Sequence, residues 1–361
     1  MTIQKMLEYT PYELEAQAKQ KLLTDMFTQL TEHHYQNCPE YKKILDALDK
    51  KPSAINSVES VPFIPVRLFK EYLLTSVPAD KITRTMTSSG TTGQQVSRIS
   101  LDAETSKNQQ RVLSKIIASY IGAQRLPLLI LDSKTVVKDR KLFGARGAGI
   151  MGFTIYGRDV TYALDENMQL DLNAVNDFLD KYRDGPILLF GYTFMIWQHF
   201  YLKLKEQGIT LNFGENTTLF HVGGWKKLVE LKVDNETYKT ELLRQCHITR
   251  VYNYYGMAEQ LGSIFVECEC GHLHASIFSD IIIRNPYDFS PMPNGEKGLM
   301  EVMSVLPTSY PGHAILTEDE GIVLGEDDCA CGRKGKYFKI LGRVKNAELR
   351  GCSDTYASKF R

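Results

Sequence analysis

The chain has 361 residues, with 43 basic and 43 acidic side chains and a formal net charge of zero. That balance, with no long basic run, argues against nucleic acid as the main partner, because neutralising phosphates needs a basic face. No apolar run is long enough to span a bilayer, and the N-terminus lacks a signal peptide's apolar core, so the seven cysteines are expected as reduced thiols, metal ligands or reactive groups in a cytoplasmic protein.

Apolar positions at helical spacing (Leu14, Leu22, Leu23, Met26, Phe27, Leu30) predict helix within Pro11 to Lys50, divided at Pro39. Val61 to Lys70 carries two prolines and reads as an extended surface connector. After the β-prone stretch Lys81 to Met86 comes Thr87-Ser88-Ser89-Gly90-Thr91-Thr92-Gly93-Gln94. Glycines let a turn point successive N–H groups at one spot, and hydroxyls add donors, so the run suits an anion such as a polyphosphate. It is not a Walker A loop, since no lysine follows Gly93. Ser/Thr/Gly clusters are also ordinary polar linkers.

Ala103 to Ile121 reads as a helix, and Pro127 to Asp132 as a buried strand. Helix at Leu170 to Tyr182, strand at Pro186 to Gly191, helix through Lys205, strand at Thr217 to Val222, helix at Tyr238 to Gln245 and strand at Ile248 to Tyr254 follow. Alternation of this kind predicts an α/β fold with a largely parallel sheet, whose ligands sit at the carboxyl ends of strands. Gly223-Gly224-Trp225-Lys226-Lys227 and Tyr255-Gly256-Met257-Ala258-Glu259-Gln260 fall at such ends. From Ser263 onward short strand-like segments between Pro, Gly and acidic turns predict a mostly β subdomain. The expected division is a helical segment 1–80, an α/β nucleotide-binding core 81–262, a β-rich subdomain 263–345 and a short tail 346–361.

The ordered set TSSGTTG, a Gly-Gly strand end, YGMAEQ, Leu316-Thr317-Glu318-Asp319 and Leu341-Gly342-Arg343 resembles the adenylate-forming superfamily. Within it, HVGGWKK (His221 to Lys227), YGMAEQ and LRGCSD (Leu349 to Asp354) resemble the LuxE-type acyl-protein synthetases, the fatty-acid-activating component of bioluminescence-type reductase complexes. The likeness runs from about Val61 to the C-terminus.

The resemblance implies ATP and Mg²⁺, a fatty acid substrate, AMP-forming acid–thiol ligase chemistry and an acyl-reducing, LuxC-like partner. It assigns Ser88, Ser89, Gly90, Thr91, Thr92 and Gly93 to the β- and γ-phosphates, with Thr87 beside them in the cofactor-binding set, and Glu259 to magnesium. Asp319 matches the ribose-binding aspartate, with Glu318 in place of the usual glycine, and Arg343 matches an arginine reaching the nucleotide. Lys345 stands at the hinge position; Gly223, Gly224 and Trp225 are expected to line the adenine or acyl pocket, next to Tyr255, Gly256 and Met257. Lys226 is a candidate to meet a carboxylate or phosphate, or a solvated lysine. The superfamily's C-terminal lid, with its lysine, is expected to be truncated or absent here. Cys352, after Arg350 and Gly351, matches the cysteine that accepts the acyl group as a thioester, and a nearby arginine favours the thiolate.

Two Cys-x-Cys pairs, Cys268/Cys270 and Cys329/Cys331, are candidate ligands of a structural zinc, with His272 or His274 able to replace one sulfur. The resulting expectation is adenylation of a fatty acid, transfer to Cys352 and delivery to a reductase. Delivery to CoA or another carrier, and a non-catalytic ATP-binding subunit, are the alternatives.

Overall fold

The computed structural model describes residues 1–88, 96–138, 145–225 and 232–344. Its strands are, in chain order, β1 (Ile64–Pro65), β2 (Ile82–Thr87), β3 (Arg98–Asp102), β4 (Leu126–Ser133), β5 (Gly157–Leu164), β6 (Ile187–Tyr192) and β7 (Thr217–Val222). The chain continues through β8 (Arg250–Tyr255), β9 (Phe265–Glu267), β10 (Leu273–His274), β11 (Ser279–Arg284), β12 (Lys297–Ser304), β13 (Ala314–Glu326) and β14 (Lys336–Arg343). The described residues divide into two compact units: residues 1–88, 96–120 and 256–344 form unit one, and 121–255 form unit two.

Unit two is a parallel sheet in the order β8-β7-β6-β4-β5. Its central strands β4 and β6 are buried at every position, as continuous apolar runs in a sheet covered on both faces should be. One face carries the helices Leu172–Tyr182, 193–206 and Asn235–Cys246, whose Phe178, Trp197, Phe200, Tyr238 and Leu242 join Leu129, Leu189 and Leu219 in one core cluster. On the other side the helix Ala145–Thr154 stacks Phe153 on Phe190, with ring centroids 3.9 Å apart. Arg146 of that helix is buried against Asp132 of β4, Nε to Oδ2 2.7 Å. Neither this helix nor β5 stands out in the sequence: β5 is the edge strand, so its polar residues face solvent and break the apolar run.

Unit one is built on strands in the order β11-β12-β13-β14-β10-β9, with antiparallel pairing throughout. The helix Ala16–Asn37 lies on it, with Leu23 and Phe27 fully buried and His34 Nε2 3.0 Å from the Pro307 carbonyl. Pro39 opens the next helix, Pro39–Ala47, at its first turn, where its missing N–H costs nothing.

Val61 to Lys70 is not the surface connector expected from its prolines. Ile64 and Pro65 pair in parallel with Ile315 and Leu316 of β13, and Val61, Ile64 and Phe69 are buried. Proline is tolerated because it sits at the edge of the pairing. The helix Ala103–Ile121 follows the β2–β3 hairpin. No described helix is long and apolar enough to cross a membrane.

Candidate active site

In unit two the predicted site residues leave one edge of the sheet. Tyr192, Val222 and Tyr254 are aligned across β6, β7 and β8, so the segments after these strands emerge side by side. Gly223 adopts φ 84°, a left-handed conformation that a side chain would strain. The Thr193 hydroxyl, at the end of β6, donates to the Gly223 carbonyl at 2.6 Å and lies 2.8 Å from His221 Nδ1. With its single proton on Gly223, the hydroxyl accepts from Nδ1–H, which leaves His221 Nε2 as the bare acceptor. His221 is buried, and burial, aided by the charge of Lys239, pushes its pKa down to about 3, so the ring is neutral near pH 7. Trp225 is half-buried, edge-on to Trp197 at 5.7 Å and to Tyr238 at 6.2 Å. Gly224 is exposed, and Tyr255 closes β8 half-buried. Trp197 lies in a π-helical turn, 196–201, a local widening common at functional sites.

In unit one the turn Ala258–Gln260 follows Gly256 and Met257 and holds Glu259 at 5 % exposure. Its backbone is locked on both sides. Tyr310 donates its phenolic proton to the Glu259 carbonyl at 2.9 Å, and Gln260 Nε2 donates to the carbonyls of Val302 and Gly312 at 2.9 and 2.8 Å. Gln260 is thus the anchor of the YGMAEQ segment, and Glu259 carries its buried carboxylate. Burial raises the Glu259 pKa; the Ser97 hydroxyl opposes this, the Glu318 carboxylate adds to it and Arg343 opposes it.

The antiparallel pair β13–β14 brings Asp319 opposite Arg343, with Nε to Oδ1 at 3.5 Å. The register shifts beside them: Glu320 faces Gly342 and Gly321 faces Ile340, so Leu341 is an extra residue in β14. Such bulges turn a side chain to a new direction and recur beside active sites. Gly342, at φ 150°, makes the departure possible. Thr317 donates to the Met300 carbonyl at 2.8 Å and accepts from the Asp319 N–H at 3.1 Å, fixing the strand where the carboxylate leaves it. Glu318, read from sequence only as a departure from a family pattern, is therefore a second carboxylate near Glu259.

The hydroxyl-rich stretch enters the described residues only at its start. Thr87 is exposed at the end of β2, and Ser88 is half-buried. Ser88 N–H donates to the Ser97 carbonyl at 3.1 Å, and Ser97 N–H donates to Ser88 Oγ at 3.0 Å. Ser97 Oγ has no partner at ordinary hydrogen-bond distance, yet is near enough to Glu259 to lower its pKa. Ser97, paired with Ser88, thus stands beside the Glu259 carboxylate, a placement with no sequence signal. Ser89, Gly90, Thr91, Thr92, Gly93, Lys226, Lys345 and Cys352 lie outside the described residues.

Of the cysteines and histidines expected as zinc ligands, the structure brings four together. Cys268, His274, Cys329 and Cys331 offer ligand atoms all within 4.8 Å of one another, and Cys270 stands outside this group. The turn that returns Gly271 N–H to the Cys268 carbonyl carries Cys270 to its exposed tip.

A model of the LuxE acyl-protein synthetase family matches residues 2–361. The chain is similar to the long-chain-fatty-acid–luciferin-component ligase of Vibrio harveyi, 24 % identical over 370 residues that cover 97 % of this chain and 91 % of the relative. The ligase of the same description from Aliivibrio fischeri is 22 % identical over 359 residues, 96 % and 90 % of the two chains. Among solved structures, 2-hydroxyisobutyryl-CoA ligase in an open conformation with 2-HIB-AMP and CoA gives a TM-score of 0.70 at 15 % identity, over 93 % of this chain and 72 % of that one. The same ligase in its postadenylation state gives 0.68 at 16 % identity, over 92 % and 69 %. The shared architecture is the adenylate-forming ligase fold, and with its family model matched along nearly all its length the chain belongs to the LuxE acyl-protein synthetases.

Proposed function

We propose that this protein activates a long-chain fatty acid with ATP as an acyl-adenylate, transfers the acyl group to Cys352 as a thioester and hands it to an acyl-reducing partner. The observation that carries this reading is Glu259, a buried carboxylate on a locked turn, with Glu318 and Arg343 near enough to shift its titration. Burial beside a second carboxylate makes Glu259 a poor isolated anion and a good ligand for a divalent cation. Magnesium there neutralises phosphate charge when bound. Asp319, with two oxygens on a rigid strand pair, suits ribose hydroxyls, and Arg343 beside it suits a phosphate or the ribose. The N–H groups and hydroxyls of Thr87 to Gly93 are the candidates for the β- and γ-phosphates. A free carboxylate resists thiol attack because oxide is a poor leaving group. In the mixed anhydride AMP leaves instead, and the Cys352 sulfur takes the acyl carbon.

The test uses purified protein, Mg-ATP and a labelled long-chain fatty acid, with Cys352→Ala alongside. Label that survives denaturation, is released by neutral hydroxylamine and is lost in the variant supports the reading. Pyrophosphate release without protein labelling overturns the Cys352 assignment and directs the acyl group to CoA or another carrier. Absence of both overturns the enzymatic reading in favour of a non-catalytic nucleotide-binding subunit.

A further inference from the structure

We propose that Cys268, His274, Cys329 and Cys331 bind one zinc ion in a closed, structural site within unit one. Cys268 follows β9, His274 ends β10, and Cys329 and Cys331 occupy the connection from β13 to β14. A tetrahedral zinc with Zn–S of about 2.3 Å and Zn–N of about 2.0–2.1 Å requires separations of about 3.8 Å between sulfurs and about 3.6 Å between sulfur and nitrogen. Cys268 Sγ and Cys329 Sγ are 3.9 Å apart, and Cys331 Sγ is 3.4 Å from His274 Nε2. The sulfur separation is also far from the roughly 2.05 Å of a disulfide.

The backbone around the ligands is built as two matching turns. Gly271 N–H returns to the Cys268 carbonyl at 2.9 Å, and Gly332 N–H returns to the Cys329 carbonyl at 2.9 Å. Both glycines have positive φ, 77° and 79°, which a side chain would strain. Each Cys-x-Cys-Gly segment therefore presents its first sulfur from the same kind of turn. The second turn adds Cys331, whose sulfur accepts the Arg333 N–H at 3.5 Å, and the β10 strand supplies the imidazole. That ring is oriented by Tyr337, stacked at 5.7 Å, and by Tyr12, edge-on at 6.1 Å. Those ring contacts restrict the direction in which Nε2 points.

Charge completes the case. Three thiolates and one divalent ion leave a net charge of −1; the Arg333 guanidinium of the same segment lies over the Tyr120 ring at 4.5 Å and is itself paired with Glu269, so its contribution to balancing that charge is partial. Binding releases the three thiol protons to solvent. Four protein ligands fill the tetrahedron, so no position remains for water or substrate, and the ion's task is to clamp the β9–β10 hairpin to the β13–β14 connection. The site is independent of the proposed reaction.

The full-length chain, purified without added metal or chelator, is expected to contain one zinc per chain by plasma mass spectrometry. Cys329→Ser and Cys331→Ser should lose it, and Cys270→Ser should retain it. Should the two serine variants fail to fold, the wild-type chain refolded with Co²⁺ provides the second readout: intense tetrahedral d–d bands with thiolate charge transfer. Zinc far below one per chain together with no such cobalt spectrum overturns the proposal. Loss of zinc from Cys270→Ser equal to that from Cys331→Ser overturns the ligand set.

Discussion

Glu259 owes its position to neighbours that do no chemistry themselves. Gly312 is one of them: a Cβ there would lie 2.9 Å from the Glu259 carbonyl oxygen and 2.3 Å from Tyr310 Cε2. Gly312→Ala should therefore displace the Tyr310 ring and loosen the turn, at a cost of about 1–3 kcal/mol in denaturant unfolding. Glu259→Gln keeps the shape and removes the charge. Its ATP–pyrophosphate exchange should fall about 100-fold or more with an unchanged circular dichroism spectrum, since an electrostatic partner of the reacting phosphate is commonly worth that much. Retention of full exchange would remove Glu259 from the site. Buried charge elsewhere is structural: Asp132 and Arg146 are 0 % and 5 % exposed in their side chains. Asp132→Ala should destabilise unit two by about 3–5 kcal/mol, because a buried guanidinium loses its carboxylate.

At the scale of elements, two devices aim the site. The first is Thr193, where β6 passes into the helical stretch 193–206 and one hydroxyl links the Gly223 carbonyl to His221. Thr193→Val keeps the shape and leaves both groups short of a partner, so a loss of about 1–3 kcal/mol is expected by urea unfolding. The second is the bulge at Leu341. Deleting that residue would restore regular pairing and turn the following residues to the opposite face. Nucleotide affinity should then weaken several-fold while the thermal midpoint moves little, because Leu341 is itself half exposed. Unchanged ATP affinity in the deletion would show that Arg343 is not placed by the bulge. Both elements could be found in the sequence as segments, but the hydrogen bond across 30 residues and the one-residue slip could not, because neither leaves a local pattern.

For the whole molecule, buried titratable side chains make the stability depend on pH. In unit two, burial holds His221 near pKa 3 and lowers His199 as well. The unfolded chain takes up protons at ordinary histidine pKa while these native rings refuse them, so stability is complete above about pH 6.5 and is lost as pH falls below it. By pH 5 His221 alone removes about 2 kcal/mol. Unit one carries buried histidines of the same sign, His34, His274 and His313, and Glu301 and Glu259 of the opposite sign, whose pKa values burial raises and whose native forms hold protons longer than the unfolded chain. Hydrogen exchange in residues 121–255 is therefore expected to rise as pH falls from about 6.5 to 5, and His221→Gln should flatten that dependence; an undiminished rise in the variant would contradict the assignment. The alternation of apolar runs determined the α/β character, the strands from β4 to β8 except the polar edge strand β5, and the positions of the Gly-Gly and YGMAEQ segments at strand ends, since strand and helix periods are local properties of the chain. Motif order likewise pointed to the family. Tertiary structure decided what periodicity cannot carry. It made Val61 to Lys70 a buried pairing segment against β13, drew Ser97 and Glu318 to Glu259, and exchanged Cys270 for His274 in the sulfur cluster. In each case the deciding contact joins residues far apart in sequence, and the selection is made by burial and backbone direction, which no single stretch of residues records.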